Sequence, residues 1–403
     1  MEAGTLLTTA VVEVSSLNRA VDAFDRWIRT EFVALNTRVE EACLAAGRPL
    51  VRGDAELERL KQRMAQEGAE LVRGIADDGR AALGGDRDTR YELLGSVGMY
   101  LAACRRHEID GPQSAAWPLA SALGTSLGVA PRFVFAHQAL FNRAVGDRFR
   151  TFTTLDDERT FIVHNALSAL AYQRTAAALR RVPALGASSP LTEYLLREAQ
   201  AGLDDAMDFG TTLNKNLDVD RFFLNIRPYF KSYRVGAGEY RGANAGDFAA
   251  INAIDVLLGL CSAHDPFYQA VLTEKQPYLP PEDQAALRAT VLAEPLLDAF
   301  LREAAQSAVT PQLRENIGLF LALCNRHGAV SSYHHHRLVL PFLQEPAARA
   351  ADDEPEDLTS SGPPLDVVIA QLARLVDLRT ARERAGVFGA RSKLDRLRAL
   401  AGL

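Results

Sequence analysis

Thr310 to Gln344 reads TPQLRENIGLFLALCNRHGAVSSYHHHRLVLPFLQ. This stretch decides the fold class, because it spells a long helix and sets a histidine cluster into it. Thr310 ahead of Pro311 is a helix-start signal, since the hydroxyl caps a free N–H and proline has none to lose at the first helical position. Leu313, Ile317, Phe320, Leu321, Cys324, Ser331 and Leu338 recur at steps of three and four, which marks a buried face. At about 100° per residue, His334 and His335 both fall within about 60° of that face and His336 points away. One of the first two is therefore expected inside.

Periodicity alone favours a satisfied core histidine there. The sharper alternative is a ligand. Three adjacent histidines cannot converge on one ion from a helix, and the absence of HExxH and CxxC motifs argues against zinc. Haem asks for only one proximal imidazole in a deep apolar slot.

The same helical signals run along the rest of the 403 residues. Ala, Leu, Arg and Glu dominate and alternating β-branched runs are almost absent, so the expected class is all-α. Val14 to Ala46, Ala55 to Ala76 and Tyr91 to Arg106 read as helices of an N-terminal region, 1–110, without evident chemistry. The break HEIDGPQSAAWP separates it from a functional region, 111–403. A net charge of −6 argues against a nucleic-acid or anionic-membrane surface and leaves small molecules as partners. Cys43, Cys104, Cys261 and Cys324 sit far apart, mostly in apolar helical runs, and read as reduced core residues. With no signal peptide and no uncharged spanning stretch, the cytoplasm is the expected location.

Gly124-Thr125-Ser126-Leu127-Gly128 fits GxSxG, but a nucleophile elbow needs a preceding strand, so the match reads as chance and the segment as a turn. Phe133 to Arg143, FVFAHQALFNR, reads as a short buried helix with a structural His137. A helix starting at Thr154-Leu155-Asp156 puts His164 on one stripe with Phe161, Leu167, Ser168 and Ala171. Arg227 lies in the apolar run FFLNIRPYF, where a guanidinium needs either an internal acid or a bound carboxylate. Gly236, Gly238 and Gly242 lack the preceding strand of a dinucleotide fingerprint. Gly242-Ala243-Asn244-Ala245-Gly246 leads into a helix from Asp247, and such small residues let backbone N–H groups approach an anion. Residues 345–364 read as an acidic, Pro-rich loop, and Leu365 to Ala385 as a closing helix followed by a short basic tail.

Taken together, these tracts resemble the haem-dependent indoleamine and tryptophan 2,3-dioxygenase superfamily, on the branch of monodechloroaminopyrrolnitrin synthase, from about Trp117 to Ala385. FFLNIR is similar to the family's pocket segment, which implies that Phe222 and Phe223 wall the substrate and Arg227 holds its carboxylate. GANAGDF followed by IDVLLGL resembles the small-residue loop over the haem, implying cofactor contacts at Gly242, Asn244, Ala245 and Gly246. RPYFKSYRVG is similar to a segment of the synthase branch. SYH falls where the family carries its proximal histidine, which makes His334 the implied iron ligand. FIVHNAL resembles the distal helix, with His164 where tryptophan dioxygenases carry a histidine. Phe135, Gln138 and Ala139 correspond to positions lining the indole pocket. The family's GTGGT lid is here TSSGP, which leaves Ser360 as the hydroxyl contact.

The resemblance implies haem b as cofactor, O2 as co-substrate, an indole amino acid such as L-tryptophan as ligand, and a reductase as a further partner. The expected reaction is 2,3-dioxygenation of the indole ring. The alternatives are a rearrangement or monooxygenation of tryptophan or chlorotryptophan in secondary metabolism, a non-catalytic haem or tryptophan sensor, and a helical scaffold.

Overall fold

Thr310 opens the histidine-bearing helix as its chemistry dictates. In the computed structural model its Oγ1 accepts from Leu313 N at 3.2 Å and Pro311 takes the first position of the helix Pro311–Tyr333. Removing the cap with Thr310→Ala should cost about 1 kcal/mol of stability, measured as a shift of the denaturation midpoint. From His334 the chain continues as a π-helix, His334–Gln344, with Pro341 inside it. That change of turn ends the 100° rule. His335 is the buried histidine, 6 % exposed, whereas His334 and His336 are exposed and Leu338 is half-buried.

The structure describes residues 19–76, 83–306, 308–350, 365–383 and 389–403. Among them the only strands are Tyr233–Val235 and Gly238–Tyr240, paired as one antiparallel hairpin, so the class is all-α. Gly236, at φ 61°, makes the hairpin turn; this is the work of the glycines that lack a dinucleotide role. The chain divides into two compact units.

Among the described residues the first unit comprises 19–76, 83–162, 217–247 and 349–350. Its helices are Glu31–Ala46, Ala55–Ala76, Arg87–Arg106 and Trp117–Leu127, preceded by helical residues 19–29. The single helix expected over Val14 to Ala46 is instead broken at Thr30, at φ −129° and ψ −87°. Trp27 packs among Phe24, Phe32 and Tyr100, with ring centroids 6.0, 5.3 and 6.4 Å away. Gly98 lets the Phe133 backbone approach so closely that a Cβ there would collide with it. Arg132 is fully buried and donates to the carbonyls of Phe133 at 2.7 Å, Tyr240 at 3.1 Å and Arg241, which ties the hairpin to the segment before Phe135. The GxSxG residues are not a turn. They end the helix Trp117–Leu127, where Ser126 Oγ donates to Leu123 O at 2.9 Å and Gly128, at φ 68°, caps the end, because a left-handed glycine just past the last turn closes a helix rather than opening a separate turn.

Among the described residues the second unit comprises 163–216, 248–306, 308–348, 365–383 and 389–403. Its longest packing is Pro311–Tyr333 along Pro190–Asn216, pinned where Asn316 Nδ2 donates to Ala187 O and Ser189 O at 2.7 and 2.9 Å. Phe300 stacks on Phe320 at 4.7 Å. Glu345–Ala350 is helical, so the expected loop starts later, and 351–364 lie outside the described residues. The closing helix is Leu365–Arg379, and the basic tail is itself a helix, Arg391–Ala401. All four cysteines are buried free thiols. No helix among the described residues is long and apolar enough to cross a membrane.

Candidate functional site

Asp218 caps a short turn by accepting from Arg221 N at 2.9 Å, and the chain then widens into the π-helix Phe222–Ile226, closed by Arg227 N donating to Phe222 O. Such insertions are uncommon and concentrate at functional sites. Phe222, Phe223 and Arg227 are all buried, with Arg227 4 % exposed. The guanidinium lies 5.3 Å from the Phe223 ring centroid. Among the described residues its Nε has no hydrogen-bond partner and no acid pairs with it. Burial lowers Arg227 to about 10, so it stays charged at neutral pH. Of the two partners open to this guanidinium, the internal acid is missing among the described residues. A buried cation left this way carries a desolvation cost that a bound anion would relieve.

Phe135, Gln138 and Ala139 share the short helix Phe135–Ala139. Phe135 and Gln138 are buried and Ala139 is half-buried. His137 Nδ1 accepts from Val134 N at 3.1 Å, so its proton sits on Nε2, which has no partner among the described residues; Gln138 Nε2 has none either. Burial first, then Arg150 and Arg132, lowers His137 to about 3, which keeps it neutral. Phe133 stacks on Phe230 at 6.3 Å, and Phe161 meets Phe230 at 5.7 Å and Phe222 at 5.1 Å. The first unit thus gathers the Phe135 turn, the Arg227 segment and the start of the His164 helix around one aromatic cluster.

The small-residue loop differs from expectation at one point. Gly246 N donates to Asn244 Oδ1 at 2.8 Å and Asp247 N to Asn244 O at 2.9 Å, so the Gly246 N–H is already used. Asp247 is held by the Arg241 fork at 2.8 and 2.9 Å, and the helix begins only at Ala249. Gly242 is buried, and Asn244, Ala245 and Gly246 are half-buried. Ser360 lies outside the described residues.

In the second unit, His334 is exposed at its surface, yet the protein packed about its ring withholds water from the charged form. With Arg379 and His335 adding repulsion, the imidazole falls to about 4. It is a neutral, accessible imidazole at pH 7. His335 Nδ1, by contrast, is buried without a partner among the described residues, and its ring meets His336 at 5.0 Å. His164 is half-buried on the helix Asp156–Leu185, one turn after Phe161; its Nδ1 has no partner among the described residues and burial lowers its imidazole.

One feature of this unit went unread in the sequence. Asp255 is fully buried and receives His327 Nε2 at 2.7 Å, Tyr268 OH at 2.7 Å and both prongs of Arg379 at 2.8 Å. Despite burial, which opposes it, Arg379 and His327 hold the carboxyl below its usual range. Arg379 also reaches Ser331 Oγ at 3.3 Å, so this knot ties the closing helix to the turn just before His334. An acid inside the apolar run INAIDVLLGLC carried the same signal as Arg227 and could have been found by it.

Phe222, Phe223 and Arg227 thus form one buried segment, and His334 begins a π-helix in the second unit. The family model described as monodechloroaminopyrrolnitrin synthase PrnB matches residues 18–401, and the chain belongs to that family of enzymes.

Proposed function

We propose that this chain is a haem-dependent oxygenase acting on the indole ring of L-tryptophan or a close derivative in secondary metabolism. The observation that carries the substrate class is Arg227, a buried guanidinium against an aromatic ring with no internal acid among the described residues. A flat fork of donors suits a carboxylate, and Phe222 and Phe223 suit an aromatic side chain.

The residues fit haem. Axial ligation requires a neutral imidazole with an accessible nitrogen, and His334 supplies both. Haem b, when bound, supplies the O2 chemistry. The chain's own residues bind and orient. Arg227 takes the carboxylate, Phe222 and Phe223 flank the ring, and Phe135, Gln138 and Ala139 line the indole. Gly242, Asn244 and Ala245 approach the cofactor. A reductase would serve as electron donor.

His164 is the distal hydrogen-bond partner of the substrate in this reading, because its Nδ1 has no partner among the described residues. His164→Ala should keep haem and weaken tryptophan binding roughly 2- to 10-fold, the value of one neutral hydrogen bond. The variant should also discriminate less than wild type between tryptophan and 1-methyltryptophan. Unchanged discrimination with normal turnover would make His164 a core residue.

The reaction type divides two readings. Dioxygenation puts both atoms of O2 across the indole C2–C3 bond. The family match favours the other, a rearrangement or monooxygenation of tryptophan or chlorotryptophan, since that family is described as a monodechloroaminopyrrolnitrin synthase and not as a dioxygenase. Mass spectrometry of product from reduced, haem-loaded protein given tryptophan, 7-chlorotryptophan and labelled O2 decides: two labelled atoms mean dioxygenation, and one or none means the synthase-type reaction. No turnover of either substrate, with both still bound, would indicate a sensor.

A further inference from the structure

Leu224 sits four residues before Pro228, and proline has no N–H, so the α-helical bond that the Leu224 carbonyl would accept cannot form. Arg106, the last residue of Arg87–Arg106, donates instead, with an Nη at 3.1 Å from Leu224 O. The same guanidinium grips Glu40 with two bonds of 2.8 Å. Asn225 Nδ2 completes the knot by donating to the Glu40 carbonyl at 3.0 Å and to Glu40 Oε2 at 2.8 Å. Glu40 and Asn225 are fully buried and Arg106 is 5 % exposed. Two of the three residues that separate Phe223 from Arg227 are thus held from behind by charges on two other helices.

A buried ion pair is a poor device for stability, because apolar residues of similar size often serve as well or better. What apolar residues cannot do is donate to an orphaned carbonyl and accept from a buried amide at once. The pair therefore specifies a backbone register. That register is the π turn, whose widening sets where the following arginine points.

We infer that Glu40 and Arg106 are positioning residues for the substrate: through Leu224 O and Asn225 they hold the π turn in the register that aims the Arg227 guanidinium at the substrate carboxylate. The inference rests on Arg227 binding that carboxylate. Neither Glu40 nor Arg106 touches the substrate. They act through the backbone between Phe223 and Arg227.

The test uses haem-loaded full-length protein and two probes, L-tryptophan and tryptamine, which lacks the carboxylate. Calorimetry gives the ratio of their affinities. The double variant Glu40→Leu/Arg106→Met removes both charges and should lower the tryptophan-over-tryptamine ratio on the order of 10- to 100-fold, the scale of a small misplacement in a binding clamp, while keeping haem content and helical circular dichroism. Arg106→Lys is the gentler variant, because a point-charge ammonium cannot keep the two-pronged grip on Glu40 that holds the guanidinium against Leu224 O. It should lower the ratio in the same direction, and it decides the matter if the double variant does not fold. An unchanged ratio in a folded variant, or equal loss for both probes, overturns the inference and leaves the knot structural. Arg227→Ala is run alongside. If that variant also keeps the ratio, the carboxylate assignment of Arg227 fails; if it loses the ratio while the knot variants keep it, only the role of Glu40 and Arg106 fails.

Discussion

His334→Ala should abolish stoichiometric haem binding, seen as the loss of a Soret band after reconstitution, while His336→Ala retains it. The three histidines are adjacent but differ in what they offer an iron. His334 is accessible and held neutral, its imidazole lowered to about 4 by desolvation, Arg379 and His335. His335 is 6 % exposed, so ligation through it would require the π-helix to rotate. His336 is exposed. Because haem asks for one protein ligand on its proximal side, removing the right imidazole should remove most of the affinity, whereas removing a neighbour should cost little. Added imidazole should restore part of the Soret band to a His334→Gly variant, which a folding defect would not allow. Haem loss confined to His335→Ala would move the ligand one residue along.

Arg227→Ala should weaken L-tryptophan binding by about 2–5 kcal/mol, on the order of 30- to several-thousand-fold, and leave indole nearly unchanged. The size follows from burial. The guanidinium is 4 % exposed and without an acid among the described residues, so its bond to a carboxylate forms in a poorly screened place and is strong. Lysine should not restore it fully, because a point charge lacks the two-pronged geometry. Equal losses for tryptophan and indole would assign Arg227 a packing role.

The amino-acid order by itself determined what depends on near neighbours. The Thr310–Pro311 start, the three-and-four spacing through Ser331 and the acid-rich start at Asp156 are all recovered in the helices Pro311–Tyr333 and Asp156–Leu185, because capping and periodicity act within one or two turns. Arg227 was legible for a related reason, since a charge in an apolar run must be explained wherever the run folds. The family tracts around FFLNIR and SYH were legible as short strings, and the match over 18–401 supports the branch they suggested.

Tertiary structure decided the rest. Which histidine is buried depended on the helix widening after Tyr333, and a rotation per residue read from an ideal helix carries no information about that change. The Gly246 N–H expected to face an anion is bonded to Asn244, because a short polar side chain competes locally for a loop N–H. The partners of Asp255 on Arg379 and of Arg106 on Glu40 and Leu224 come from distant parts of the chain. A single sequence says that such buried charges need counterparts; only the packed chain says which, since ion pairs and hydrogen bonds form between whatever folding brings within about 3 Å, and separation along the chain does not predict that distance.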